Sequence, residues 1–195
     1  MIGFSQRLSA GLVVLAMALA VTPAANSQTE TELPEDTFDQ ESVLDAATGF
    51  FGSGAKGLAK AIEKVFADNG RPNAYILGNE GSAALIIGLR YGNGTMFHKI
   101  EGERKVHWTG PSIGFDAGAN LSKVFVLVYN LYDTDDLFHR FPAVEGSFYW
   151  IGGVGVNYQQ KGDIVLAPMR VGVGLRAGVN LGYMKYSKKK KLLPF

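Results

Sequence analysis

Three histidines, a run of aspartates and one glycine fingerprint are the residues whose types and spacing suggest chemistry. His98 and His107 fall on adjacent expected strands, and His139 stands apart. No acid or cysteine lies at metal-ligand spacing beside them, so they are read as surface or rim residues and no metal is expected. Asp133-x-Asp135-Asp136 has the acids of a cation loop but lacks the glycine and distal glutamate of an EF-hand. Gly172-x-Gly174-x-x-Ala177 satisfies the loose dinucleotide fingerprint. It lies inside a period-two strand, however, with no helix after it and no acidic ribose partner. Glu101 and Glu103 flank a turn and are read as solvated, and no serine sits in a nucleophile elbow. The chain is therefore read as non-enzymatic, with no catalytic residue and no cofactor. Arg90 is the most suggestive polar group, because it interrupts an apolar strand. With Trp108 it is assigned to a pocket or its rim; the alternative for Arg90 is an outward position in solvent.

Elements that position such residues follow from length, composition and period. The chain has 195 residues, no cysteine and a formal charge of +1, so it fits one domain with no disulfide and no general nucleic-acid signature. Arg7, the apolar run Ala10 to Val21, Pro23 and the small-x-small pattern Ala25-Asn26-Ser27 read as a signal peptide over residues 1–27, cleaved after Ser27. That places the mature protein in the periplasm. No later apolar run is long enough for a transmembrane helix. Without residues 1–27 the chain has 18 basic and 18 acidic residues, unevenly spread. Seven acids and no base fall between Gln28 and Ala55, so residues 28–52 read as an acidic flexible leader. Within it, Ser42-Val-Leu-Asp45 has capping-box spacing for a short turn of helix ending at Gly49.

Residues 53–195 are expected to form a single domain, mainly β. Ala55, Leu58, Ala59, Ile62, Val65 and Phe66 recur at helical spacing from Ser53 to Asn69, with Gly70 and Pro72 as the stop. Lys56, Lys60 and Lys64 form a row on the other face: a solvated face of a covering helix or a contact with acidic lipid. From Asn73 the period is two. Gly92-Asn93-Gly94 reads as a tight hairpin between Ser82–Tyr91 and Thr95–Glu101, and a further strand is expected to begin near Ser112 after Gly110-Pro111. Val124 to Tyr129 is apolar on both faces, which requires cover on both sides; the helix is the expected outer cover. Asp133 to Phe141 reads as a short inserted helix, acids first and bases last. Trp150, Val154, Val156 and Tyr158 are expected on one strand face opposite Gly153 and Gly155, and Val171 to Tyr183 alternates apolar residues with glycines. Strands with a glycine face bend, and about eight of them suit a small closed or nearly closed eight-stranded barrel. Lys188, Lys189, Lys190 and Lys191, followed by Leu192-Leu-Pro-Phe195, end the chain as a frayed tail or a contact with anionic lipid.

Gly88-Leu-Arg-Tyr-Gly-Asn-Gly94, Trp108-Thr-Gly-Pro-Ser-Ile-Gly114, Gly118 and the strand Val124 to Asn130 together resemble the SYLF (Ysc84-like) lipid-binding domain over roughly residues 55–141. The whole mature chain more closely resembles a bacterial periplasmic family whose members are called envelope integrity proteins. This resemblance implies a periplasmic β-barrel linked to maintenance of the cell envelope, without catalytic residues or cofactor. The SYLF likeness implies lipid binding, with Ser53–Asn69 as the matching helix. The expected partners are an anionic lipid or other amphiphile, and the alternative is a protein of the envelope machinery held by a barrel filled with side chains. An empty or a packed barrel interior separates these readings.

Overall fold

A computed structural model describes residues 35–52, 57–84, 87–113, 122–171 and 182–191. The expected signal peptide, Ser53, Lys56, the glycine strand between residues 172 and 181, and Leu192 to Phe195 lie outside the described residues. Two helices, α1 (Gln40–Phe51) and α2 (Leu58–Asn69), precede eight strands. The strands are β1 (Ala74–Ala84), β2 (Ile87–His98), β3 (Gly102–Ile113), β4 (Ser122–Tyr129), β5 (Arg140–Ile151), β6 (Val154–Lys161), β7 (Ile164–Val171) and β8 (Tyr183–Ser187). They close into an antiparallel barrel in the order β1-β2-β3-β8-β5-β6-β7-β4. Closure gives every strand a neighbour on both sides, with the shortest ladders, three residue pairs each, where β8 meets β3 and β5. Among the described residues no helix is long and apolar enough to cross a membrane.

Period two sorts each strand into two cores. On β4, Val124, Val126 and Val128 face the barrel interior with Ile76, Met96, Val106, Leu166 and Met184. Phe125, Leu127 and Tyr129 point the other way, onto Leu58, Ala61, Ile62 and Val65 of α2 and Val43 and Ala47 of α1. The two-sided burial expected for Val124 to Tyr129 is thus what the structure shows. Each of the larger side chains removed from water at this outer seam stabilises the fold by about 1.5–3 kcal/mol.

The α1 segment departs from the flexible leader expected there. Asp39, not Ser42, caps the helix: its carboxylate accepts from Ser42 N at 2.8 Å and Ser42 Oγ at 2.7 Å. The helix runs on past Gly49 to Phe51, where Phe51 meets Phe125 with ring centroids 6.5 Å apart. Just before it, Phe38 N donates to Pro72 O at 2.8 Å and the Phe38 ring stands edge-on to Tyr75. Acidic composition concealed a helix whose inner face needs only Val43 and Ala47 to be buried. At its other end α2 stops as expected: Gly70 has φ +75° and its N–H returns to Phe66 O.

The glycines of β2 do not make a hairpin. Gly92, Asn93 and Gly94 lie mid-strand, paired with Glu80, Asn79 and Gly78 on β1 and with Trp108, His107 and Val106 on β3. A side chain on Gly92 would land inside the Trp108 indole, and one on Gly78 would come within 2.5 Å of the same ring. These glycines make room for a tryptophan lying flat across the inner wall. β3 likewise runs unbroken through Gly110-Pro111 to Ile113. The hairpin glycines are instead Gly152 and Gly153, at φ +56° and +88°, between β5 and β6. That reversal puts Trp150 on the opposite face from Val154, Val156 and Tyr158, against the single-strand reading of that segment.

The inserted helix is one 3₁₀ turn, Thr134–Leu137, capped by Asp133, which accepts from Asp135 N at 2.8 Å. It closes one end of the barrel: Leu131, Leu137 and Phe141 are fully buried with the interior residues. Two glycine substitutions separate the two roles of this residue in the fold. Gly92→Ala is expected to cost about 1–3 kcal/mol or more, since the indole has nowhere to go. Gly49→Ala, in open space on α1, should add up to about 1 kcal/mol through helix propensity. Urea unfolding of both variants measures the difference.

Candidate functional site

The interior changes character along the barrel axis. Toward the 3₁₀ turn it is apolar and filled. Ile76, Met96, Val106, Leu137, Phe141 and Leu166 have 0 % exposure, and walls of a water-sized void would show some. Toward the β5–β6 turn it becomes polar. Glu80 of β1, Arg90 of β2 and Arg170 of β7 converge there, each no more than 9 % exposed.

Glu80 is the centre of this cluster. Arg170 holds it as a fork, with Nε on Oε1 and Nη2 on Oε2 at 3.1 Å. Arg90 Nη1 stands 3.7 Å from Oε1. Trp108 Nε1 donates to Oε2 at 3.3 Å, across the gap that Gly92 leaves between the two strands. Burial pushes the carboxyl pKa of Glu80 up, but the charges of Arg170 and Arg90 outweigh it and bring it down from an ordinary 4.5 to about 2. Burial lowers and the Glu80 charge raises the pKa of Arg170, and the net direction is up. The layer continues through Tyr186, whose ring stands 6.1 Å from Trp108 and whose hydroxyl donates to Gln159 Oε1 at 3.4 Å. Gln159 Nε2 and Asn157 Oδ1 are buried without a hydrogen-bond partner.

Beyond this layer, two aromatic side chains face the interior and remain in solvent. Trp150 is 45 % exposed and Phe148 39 %, and both lie over Gly155 on the inner wall. α2 begins beside the same turn: a side chain on Gly57 would collide with Gly152.

Arg90 and Trp108, the two pocket residues expected from sequence, are thus brought together by Glu80. Arg90 points inward, and the outward alternative is corrected. Sequence reasoning missed Glu80 and Arg170. Arg170 carries the same signal as Arg90, an arginine interrupting an apolar strand, whereas Glu80 sits in Gly78-Asn-Glu-Gly81 and reads as a turn. The lysines are dispersed. Lys60 is exposed on α2, while Lys64 pairs with Asp68 and lies 4.8 Å over the Tyr149 ring. Lys188 pairs with Asp135 at 2.8 Å at the closed end, and Lys189, Lys190 and Lys191 are exposed after it.

The histidines do not form a site. His98 is buried rather than at the surface: Nε2 meets Leu131 O at 2.7 Å, and Nδ1 accepts from Ile100 N and Glu101 N. These bonds fix the neutral Nε2–H tautomer. His98 stands opposite Gly102 and His107 opposite Asn93, so the two are separated along the sheet. Glu101 is not simply solvated, since it accepts from Thr134 N at 3.2 Å and from Thr134 Oγ1. Asp135 pairs with Arg104 as well as Lys188. Among the described residues no group of three or more His, Cys, Asp or Glu is placed to hold a metal ion.

Residues 36–195 match the family Envelope integrity protein A. The chain belongs to this family. A crystal structure described as a beta-barrel-like, uncharacterised protein from Brucella abortus is similar to it, with 48 % identity and a TM-score of 0.76 over 82 % of this chain and 99 % of that one. No curated protein matches the chain. The solved relative shares the barrel.

The lowered pKa of Glu80 has a definite sign. Its contribution to stability is complete above the unfolded value near 4.5 and is lost as pH falls toward about 2. The shift corresponds to roughly 3 kcal/mol. Glu80→Gln is expected to lose about 3–5 kcal/mol at pH 7, because both guanidiniums keep their burial and lose their counter-charge. Urea unfolding should show the gap between the unmodified protein and this variant shrinking from pH 7 to pH 2.5.

Proposed function

We propose that this envelope integrity protein is a non-catalytic periplasmic barrel that binds a lipid or other amphiphile through the end marked by the β5–β6 turn. The observation that carries this reading is the placement of Phe148 and Trp150. They face the barrel interior yet keep 39 % and 45 % of their surface in solvent, next to a buried polar layer. Large apolar groups on an inner wall favour an apolar occupant, since leaving them wet forfeits about 25 cal/mol for each Å² of surface. Polar groups beneath an aromatic rim suit a molecule with two characters. The expected signal peptide puts the chain on the periplasmic side of the envelope, where lipids are at hand.

Lys60 lies one turn before Lys64 on the helix that starts at this end, so it is the cation of the row best placed beside a lipid surface. Lys188 to Lys191 sit at the opposite end with the 3₁₀ turn, so one flat membrane cannot meet both sets at once. The SYLF likeness adds support only by analogy, because the Gly92 to Gly94 segment that carries it here serves to seat Trp108. The filled apolar half of the barrel favours the alternative, a module that works through a protein partner.

Tryptophan fluorescence distinguishes them. The chain has two tryptophans, and Trp108 is only 4 % exposed, so the accessible signal is that of Trp150. A fatty acid brominated on its chain is expected to quench it saturably, with at least half of the quenching lost in Trp150→Phe. Absence of quenching, together with no amphiphile in native mass spectra of protein purified from membranes, would refute the amphiphile reading.

A further inference from the structure

The interior polar layer is built more elaborately than barrel packing requires, and its spare hydrogen-bonding groups lie on one stretch of wall. Arg170 uses Nε and Nη2 on Glu80, one edge of its guanidinium, and its side chain keeps 11 % of its surface exposed. The two Glu80 oxygens already take Arg170, Arg90 and Trp108, so the carboxylate has little capacity left. On β6, Asn157 and Gln159 alternate with Gly155 along the inner face, and Gly155 is directly opposite Arg170 on β7. Gln159 is fully buried with its Nε2, a donor, unpartnered, and Asn157 is 6 % exposed with its Oδ1, an acceptor, unpartnered. An unmet buried amide costs about 1–3 kcal/mol, so two on one wall call for a partner. At Gly155 the wall has no side chain of its own, and the Trp150 and Phe148 rings lie across it, 3.2 and 3.7 Å from where a Cβ would stand.

We propose that Arg170, with the spare amide N–H of Gln159, binds the acidic head group of a single-chain amphiphile, a carboxylate or a phosphate, whose apolar chain leaves past Trp150 and Phe148. Glu80 is then a positioning residue. Its fork on one edge of the guanidinium fixes the plane of Arg170 and aims the other edge at the ligand. This inference rests on the amphiphile reading above and specifies its head group. It explains an arginine on the inner wall and a buried amide donor without a partner, neither of which a merely filled barrel needs.

A head-group series at constant chain length tests it on the unmodified protein, by displacement of a brominated fatty acid. Dodecanoate and dodecyl phosphate are expected to bind at least tenfold more tightly than dodecanol and dodecyltrimethylammonium, with inorganic phosphate and acetate not competing. Arg170→Gln alone strands the Glu80 charge, so the matched double variant Glu80→Gln/Arg170→Gln is used, with its fold checked by circular dichroism. There the preference for the acidic head should fall to within about twofold while dodecanol binding is retained. Gln159→Leu, which leaves the ion pairs intact, should lower it at least threefold. Equal binding of dodecanol and dodecanoate, or a preference that survives in both variants, overturns the head-group assignment and leaves the amphiphile reading in place. No binding of any chain overturns both. Competition by inorganic phosphate as strong as by dodecyl phosphate would keep the anion site and remove the amphiphile.

Discussion

The interior of this barrel depends on one carboxylate. Glu80 is 4 % exposed, and an ionised carboxyl group taken that far from water costs several kcal/mol. The cost is offset only because strands far apart in sequence bring Arg170, Arg90 and the Trp108 N–H to its two oxygens. Each of these groups fixes another. The indole must lie flat over β2 to reach Glu80, so the residue between them must be Gly92, and Gly78, two residues before Glu80 on β1, must be glycine under the far edge of the ring. The arginine fork requires β7 to stand at a set register against β4, and β4 against β1. Apolar packing alone specifies register weakly in a closed sheet, where a slip by two residues preserves which side chains face in. A buried charge with three hydrogen-bond donors and a second guanidinium beside it tolerates no such slip.

The outer seam has a different logic. β4, β6 and β7 present apolar residues to the outside, and α1 and α2 exist to cover them. Polar contacts anchor the cover: Lys123 on β4 donates to Phe50 O of α1 at 2.6 Å, Tyr158 on β6 donates to Asp68 at 2.7 Å, and Asp68 pairs with Lys64, which lies over Tyr149 on β5. Burial and the bond to Asp68 both raise the Tyr158 pKa, so the phenol remains a donor across the physiological range. Without these contacts α2 would lie on an apolar surface with little to choose among nearby rotations.

How much of this the sequence revealed follows the range of the interaction. Val124 to Tyr129 was legible because burial on both faces leaves a mark in consecutive residues, and α2 because its stripe, its stop and its length are all local. The β-barrel class followed from period and glycine content. The glycines themselves were misassigned, since Gly92-Asn93-Gly94 has the composition of a turn and its real cause is Trp108, fourteen or more residues away on another strand. Gly152-Gly153, the true hairpin, was read through because Trp150 and Val154 happen to share parity across it. Arg90 was found as an anomaly in an apolar strand. Its partner was not, because a glutamate between glycines looks like surface until closure of the barrel turns it inward.

Closure also makes the two ends of the barrel unequal, and that asymmetry is where function enters. At one end the chain returns through the 3₁₀ turn and seals the interior. Asn73 donates to Leu131 O at 2.6 Å and accepts from Leu131 N, and His98 joins the same carbonyl. Leu131, Leu137 and Phe141 fill the space inside this latch. Nothing equivalent covers Trp150 and Phe148 among the described residues of the other end. A barrel needed only as a rigid body gains from apolar filling throughout, since replacing a buried ion cluster by well-packed apolar side chains is often neutral or stabilising. Retaining two guanidiniums, a carboxylate and two unmet amides beneath an exposed aromatic rim runs against that gain. The proposed amphiphile site would account for that polar half, held in place by the apolar half.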